Sequence, residues 1–158
     1  MDDAGDFRVE ITGMDISHLD EVFEIEKYCF VSPWSKDSLR KEIEENERAA
    51  YIVAKHDGRV VGYAGMWHVV NEGHITNVAV GAEHRRRGVG GMLVARLIEI
   101  ARARGMLGIT LEVRISNLHA QRLYSKFGFI PEGFRKEYYD DTHEDAVIMW
   151  KYFDEVNS

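Results

Sequence analysis

The run Arg85-Arg86-Arg87-Gly88-Val89-Gly90-Gly91 stands directly after a strand-like segment and opens a long helix-periodic one. The first N–H groups of a helix lack intrahelical partners and sit at the positive end of its dipole, so such a turn suits an anion. Glycines let a bulky diphosphate approach the backbone, and flanking arginines add countercharge. From Arg85 to Arg104, arginines 85, 86, 87, 96, 102 and 104 face the single acid Glu99, a local 6 − 1 = +5 in a chain of net charge −7. The plainer reading is a solvated basic loop whose glycines set up a helix start. No Gly-Lys-Ser/Thr follows, so this is not a Walker loop, and neither the glycine spacing nor an acidic ribose ligand fits a dinucleotide fingerprint.

Glu112 stands on the polar face of a strand whose other face is apolar, where a carboxylate could serve as general base for an amine. On pattern alone the favoured reading is a surface glutamate paired with Arg114 or with an arginine on a neighbouring strand. Tyr124 falls on the apolar stripe of its helix, where a core aromatic whose hydroxyl finds a partner is the usual case. Asn117, at a helix start, reads first as a cap. The histidines at 18, 56, 68, 74, 84, 119 and 143 show no metal-ligand spacing, and His143-Glu144-Asp145 reads as a solvated loop. Cys29, between Tyr28 and Phe30, reads as a buried, inert thiol. Neither metal chemistry nor covalent catalysis is expected.

The elements that must position these groups are legible from periodicity. Phe7 to Ile11 alternates as a short strand, and Ile16 to Phe30 has helical spacing. After Pro33, Ser35 can cap a second helix with Asp37 in its first turn, running to Asn46. Ala49–Lys55 and Val60–Val70 read as strands joined by His56-Asp57-Gly58-Arg59, whose Asp-Gly is a hairpin signal. A strand from about His74 to Val80 follows, then a helix from Gly88 to about Arg104 closed by Gly105. Leu107 to Ile115 alternates cleanly, Asn117 to Phe127 is helical with Gly128 at its end, and strands at Phe129–Tyr139 and Ala146–Phe153 flank an acidic loop. Seven strands interleaved with four helices imply an α/β or α+β class around one mixed sheet.

The 158 residues imply one domain, 1–158, with its core at about 8–152, and a composition 45% hydrophobic and 30% charged is that of a globular protein. The acidic net charge argues against nucleic acid as a partner. No apolar run approaches the ~20 residues of a membrane span, the acidic start has no signal-peptide pattern, and one cysteine forms no internal disulfide. A cytoplasmic monomer or weak homodimer, with neither nucleic acid nor membrane as a partner, is expected.

Arg85-x-x-Gly88-x-Gly90 after Asn77-Val78-Ala79-Val80 resembles the acyl-CoA signature of the GCN5-related N-acetyltransferase (GNAT) superfamily. Leu111-Glu112-Val113-Arg114-Ile115-Ser116-Asn117, Leu123-Tyr124-Ser125-Lys126-Phe127-Gly128-Phe129, Pro33-Trp34-Ser35, Arg135-x-x-Tyr138-Tyr139 and Glu144-Asp145-Ala146 are similar to the RimI-type ribosomal-protein-alanine N-acetyltransferases in particular. The resemblance implies a mixed sheet splayed between its fourth and fifth strands to admit acetyl-CoA, with no metal. Val78, Ala79 and Val80 would pair with the pantetheine arm, Arg86, Arg87, Gly88, Val89, Gly90 and Gly91 would cradle the pyrophosphate, and Asn117 would meet the arm near its thiol. Glu112 would be the proton acceptor, Tyr124 the proton donor, and Trp34, Tyr138 and Tyr139 would contact the acceptor, by resemblance the N-terminal alanine of a small-subunit ribosomal protein. A related enzyme acting on lysines, other protein N-termini or a small amine is the alternative. Two positions depart from the pattern: Arg85 stands where Gln is frequent and Gly91 where Arg is common. From Glu132 to Asp145 the acids at 132, 137, 140, 141, 144 and 145 outnumber Arg135 and Lys136, giving 2 − 6 = −4, which would favour a basic acceptor.

Overall fold

The computed structural model describes residues 7–153. Seven strands form one mixed sheet: β1 (Glu10–Gly13), β2 (Ala49–His56), β3 (Arg59–Val69), β4 (Glu72–Val80), β5 (Gly108–Arg114), β6 (Ile130–Arg135) and β7 (Ala146–Tyr152). The helices are α1 (Leu19–Cys29), α2 (Lys36–Glu45), α3 (Val89–Ala103) and α4 (Leu118–Lys126), and the strand order is β1-β2-β3-β4-β5-β7-β6. Every neighbouring pair is antiparallel except β4 and β5. No described helix is long and apolar enough to cross a membrane.

Local chemistry accounts for most boundaries. Asp57 and Gly58 both take positive φ, 53° and 78°, as a tight Asp-Gly hairpin requires. Ser35 Oγ accepts from the Ser38 N–H at 3.0 Å and starts α2; Asn117 Oδ1 accepts from the Ala120 N–H at 3.0 Å and starts α4. The first strand departs from the sequence reading. Its ladder covers Glu10–Gly13 rather than Phe7–Ile11, because pairing is set by the partner residues Ile52–Lys55 of β2, while Phe7, Val9 and Ile11 still pack on the core. β6 likewise ends at Arg135, its pairing with β7 running out at Ala146. The ends of the expected domain, 1–6 and 154–158, lie outside the described residues.

The sheet has a core on each face. Leu93, Val94, Leu97 and Ala101 of α3, with Tyr124 of α4, pack on Ala64, Met66, Ile109, Leu111, Val147 and Met149. On the other face Leu19, Val22 and Ile25 of α1, with Leu39 of α2, pack on Val53, Tyr63 and Ala79. These two helices reach only as far as β4. Beyond it lies Glu112 of β5, and neither helix shares a core there with β5, β7 or β6 among the described residues.

Candidate active site

Strands β4 and β5 pair only over Glu72–His74 with Gly108–Thr110. Immediately afterwards β4 bulges: Ile75 faces Met66 and Asn77 faces Gly65 of β3, leaving Thr76 unopposed. A bulge bends its strand, and here it turns β4 away from β5. A cleft of about 920 Å³ opens between them, walled by Ile75–Val78 and Leu111–Arg114. The Gly81 N–H donates to Val61 O on β3. By the alternation of an antiparallel ladder, the backbone N–H and C=O of Val78 and Val80 then face the gap. Val80 O accepts from Cys29 Sγ and from Arg85 Nε. Thr76 Oγ1 and Asn77 Oδ1 are buried beside the cleft without a partner among the described residues.

Glu112 faces this gap from β5 with its side chain 8% exposed. Its partners are His74 Nε2, 2.7 Å from Oε1, and Arg135 Nε, 3.2 Å from Oε2. The hydrogen bond from His74 is the main cause that holds its carboxyl below the usual range; burial opposes it and Arg135 adds to it. The arginine beside Glu112 is thus neither Arg114 nor one on an adjacent strand but Arg135, on β6 two strands away. Arg114 instead pairs with Asp141 at 2.7 Å and Glu144 at 3.5 Å. Across the cleft Tyr124 is buried on α4 against Phe129, and burial drives its hydroxyl well above the ordinary phenol range. That hydroxyl has no hydrogen-bond partner among the described residues, contrary to the sequence reading of a satisfied core tyrosine. Asn117 lines the cleft while its Oδ1 caps α4.

The arginine-glycine turn lies where β4 runs out. Gly88 has φ +83° and the non-glycine Arg86 φ +66°, so the chain reverses in the left-handed region before α3 begins. Gly88 offers no side-chain cap, leaving the first N–H groups of α3 open. A Cβ at Gly90 would touch Val80, and one at Gly91 would touch Phe127, so this turn adjoins the end of β4 and packs on α4. Arg87 does not point freely outward; its guanidinium lies 3.8 Å from the Phe7 ring centroid. Arg85 lies over Tyr28 and within 3.4 Å of Cys29 Sγ. Cys29 is thus half-buried and lines the cleft, which corrects its reading as a sealed core thiol.

Two segments roof the cleft. Between α1 and α2, the Trp34 N–H donates to Glu26 Oε2 at 2.9 Å, and Glu26 is buried with the Tyr63 hydroxyl on its other oxygen. This carboxylate holds Trp34 over the opening. Between β6 and β7, Arg114 grips Asp141, while the Ser116 N–H donates to Glu144 and the Glu137 N–H to Asp145. Half of the acids counted in this loop therefore hold the loop itself. Tyr138 and Tyr139 hang into the cleft, edge to face at 5.0 Å, with burial pushing the Tyr139 hydroxyl up to about 12. Ser32 Oγ stands 3.4 Å from Asp141, so the two segments meet.

The structure brings Glu112, Tyr124, Asn117, Val78, Trp34, Tyr138 and Tyr139 around one cavity, with the Arg86–Gly91 turn beyond the end of β4. Sequence reading missed His74, Glu26 and the bulge at Thr76. Alternation could have put His74 on the face of Glu112 only if the β4–β5 register were known, and nothing local announces it.

Residues 19–129 match the family described as "Acetyltransferase (GNAT) family". A candidate [ribosomal protein bS18]-alanine N-acetyltransferase of Bacillus subtilis is 43% identical over 143 residues, covering 90% of this chain and 95% of that protein. The [ribosomal protein bS18]-alanine N-acetyltransferase of Salmonella typhimurium is 33% identical over 141 residues, covering 88% and 94%. The crystal structure of the ribosomal-protein-S18-alanine N-acetyltransferase from Escherichia coli superposes with a TM-score of 0.84 at 29% identity, over 96% of this chain and 99% of that one.

Proposed function

Since the chain belongs to the GNAT acetyltransferase family, we propose that it moves the acetyl group of acetyl-CoA onto the α-amine of a protein N-terminus, the N-terminal alanine of ribosomal protein bS18. The names of the Bacillus and Salmonella relatives, at 43% and 33% identity over most of both chains, support this acceptor. The observation that carries the chemistry is the gap between β4 and β5, with free backbone on one wall and an ionised carboxylate on the other. The acceptor is made in the cytoplasm, and there we place the enzyme.

The residues fit acetyl-CoA. An extended arm with amide groups can complete the unpaired edge of β4 at Val78, and the buried, unpartnered oxygens of Thr76 and Asn77 leave hydrogen-bonding capacity beside it. The left-handed turn at Arg86 and Gly88 and the open N–H groups of α3 suit a diphosphate. In this reading Val78 and Val80 offer outward-facing backbone to the arm while Ala79 between them has its backbone turned to β3; Arg86, Arg87, Gly88, Val89, Gly90 and Gly91 hold the diphosphate, and Asn117 the arm near its thiol. Acetyl-CoA supplies an acyl group activated as a thioester.

Attack by the amine is direct. The Val78 N–H is the donor for the developing oxyanion, and loss of such a donor costs about 10²–10³ in rate. Glu112 takes the proton of the attacking nitrogen. A carboxylate with a lowered pKa is a weak base, yet an α-amine titrates near 7.7–8.0, so about a tenth is already neutral at pH 7. A lysine is neutral about 300-fold less often, so this base favours α-amines over side chains. Tyr124 faces the departing sulfur. A free thiol ionises near 8.5 and a free phenol near 10, a transfer uphill by about 2 kcal/mol, and burial widens that difference for Tyr124. Its role is therefore to hydrogen-bond the sulfur more than to surrender a proton.

Mass spectrometry of ribosomal proteins incubated with the enzyme and acetyl-CoA tests the acceptor. One acetyl group on the bS18 N-terminal alanine is expected; label confined to lysines, or to other proteins, overturns the proposal.

A further inference from the structure

The acetyl transfer as described makes no use of His74, yet His74 forms the shortest polar contact of Glu112. It sits on β4 at the last register pair before the gap, opposite Thr110. Its side chain is 32% exposed against 8% for Glu112, so the ring spans from the root of the cleft to solvent. Arg135 reaches the other carboxylate oxygen from β6. Two donors from two strands, one on each oxygen, fix the direction of the carboxylate.

The two donors differ in one respect. A guanidinium stays charged at every working pH, whereas histidine is the side chain whose charge ordinarily changes in the physiological range. A neutral ring still donates through Nε2–H and holds the carboxylate in place. A protonated ring adds a full positive charge at contact distance, which makes the carboxylate a poorer proton acceptor. The other groups around His74 do not supply such a change. Thr110 on β5 and Trp67 on β3 are uncharged, and Trp67 Nε1–H is tied to Glu42 of α2. Glu72 lies at the start of the same strand, and Tyr138, whose charge couples to Glu112, has its hydroxyl raised above the ordinary phenol value by burial.

We propose that His74 is a positioning residue for the acetyl transfer: it aims Glu112 across the gap through Nε2–H and gates it, so that Glu112 accepts the amine proton effectively only while the imidazole is neutral. The proposal rests on Glu112 being the base.

His74→Gln tests it, because the glutamine amide can donate from about the same place and does not titrate. With an alanine-ended peptide and saturating acetyl-CoA, the variant should retain kcat within about threefold at high pH, since its donor is intact. Because both the amine and the ring must then be neutral, the wild-type rate should climb by up to about 100-fold per pH unit at the acid end of the profile, and the variant, with only the amine to deprotonate, by about tenfold. In the free protein, carboxyl-carbon NMR should show the Glu112 midpoint moving up in His74→Ala, which removes the donor altogether. A His74→Gln profile that superimposes on wild type, or a Glu112 midpoint unmoved in His74→Ala, overturns the proposal. Should His74→Ala fail to fold, the His74→Gln profile decides. Glu112→Gln at the wild-type rate overturns the base reading and the gate with it, whereas failure to acetylate bS18 while the peptide is turned over touches only the acceptor.

Discussion

Beyond the end of β4, the turn proposed to hold the diphosphate is made almost wholly of backbone: Arg86 and Gly88 in the left-handed region, then open N–H groups at the start of α3. In the cleft itself Glu112 depends on side chains from distant parts of the chain, His74 on β4 and Arg135 on β6, with Tyr124 of α4 across the gap. The first region is specified by seven consecutive residues. The second exists only once the sheet has assembled in its register. A backbone site is sensitive to a residue's conformational freedom and tolerant of its side-chain chemistry; a side-chain site is the reverse. Substitutions in the two regions should therefore move different kinetic parameters.

Glu112→Gln should have the largest effect. Removing a general base costs about 10²–10⁴ in rate, and the lower end applies because the α-amine is partly neutral unaided. Stopped assays of thiol release should show kcat down about 100-fold with KM for acetyl-CoA unchanged. Gly88→Ala is the counterpart. No atom lies within 4 Å of the added Cβ, so the cost is the left-handed backbone alone, about 1–2 kcal/mol. If the turn relaxes to escape that strain, KM for acetyl-CoA should rise about tenfold while kcat holds. The contrast between the two regions breaks if both variants lower kcat, or if both raise KM.

Tyr124→Phe probes the side-chain region more finely. A neutral hydrogen bond to the leaving sulfur is worth about 1 kcal/mol, so kcat should fall roughly fivefold with an unaltered pH profile. A loss of 10³ would make Tyr124 a true proton donor, and an unchanged rate at every pH would remove it from the reaction.

The same contrast explains what the sequence made legible. The arginine-glycine turn, the Asp57-Gly58 hairpin and the Ser35 and Asn117 caps are local, and each stands where residue type and spacing put it. Alternation in Leu107–Ile115 placed Glu112 on the polar face, opposite buried Ile109, Leu111 and Val113, although Leu107 and Ile115 at its ends are exposed. What escaped was which side chains meet across strands far apart in the chain. Glu112 binds a histidine 38 positions away, and Arg114, adjacent on the same face, serves the β6–β7 loop instead. Glu26 is one of four acids on α1, yet it is buried and carries the Trp34 segment. A register and a bulge decide these contacts, and neither leaves a mark on composition.

The acidic loop gives the smallest effect and divides along the same line. Asp141 and Glu144 are tied to Arg114, and that guanidinium holds the Asp141 carboxyl below its usual range. Asp140 lines the cleft, is exposed, and has no hydrogen-bond or ion partner among the described residues. For a basic acceptor peptide, Asp140→Asn removes one solvent-exposed attraction worth about 0.2–1 kcal/mol, so KM for the peptide should rise about 1.4- to fivefold. Because exposed charges are screened over about 10 Å at 0.1 M salt, that rise should fade as salt is added. Asp141→Asn instead weakens the hold of Arg114 on the loop, so its effect on peptide KM should persist at high salt. If the two variants share one salt dependence, the loop attracts the acceptor as an undivided charge, and the separation of its acids into structural and exposed ones is wrong.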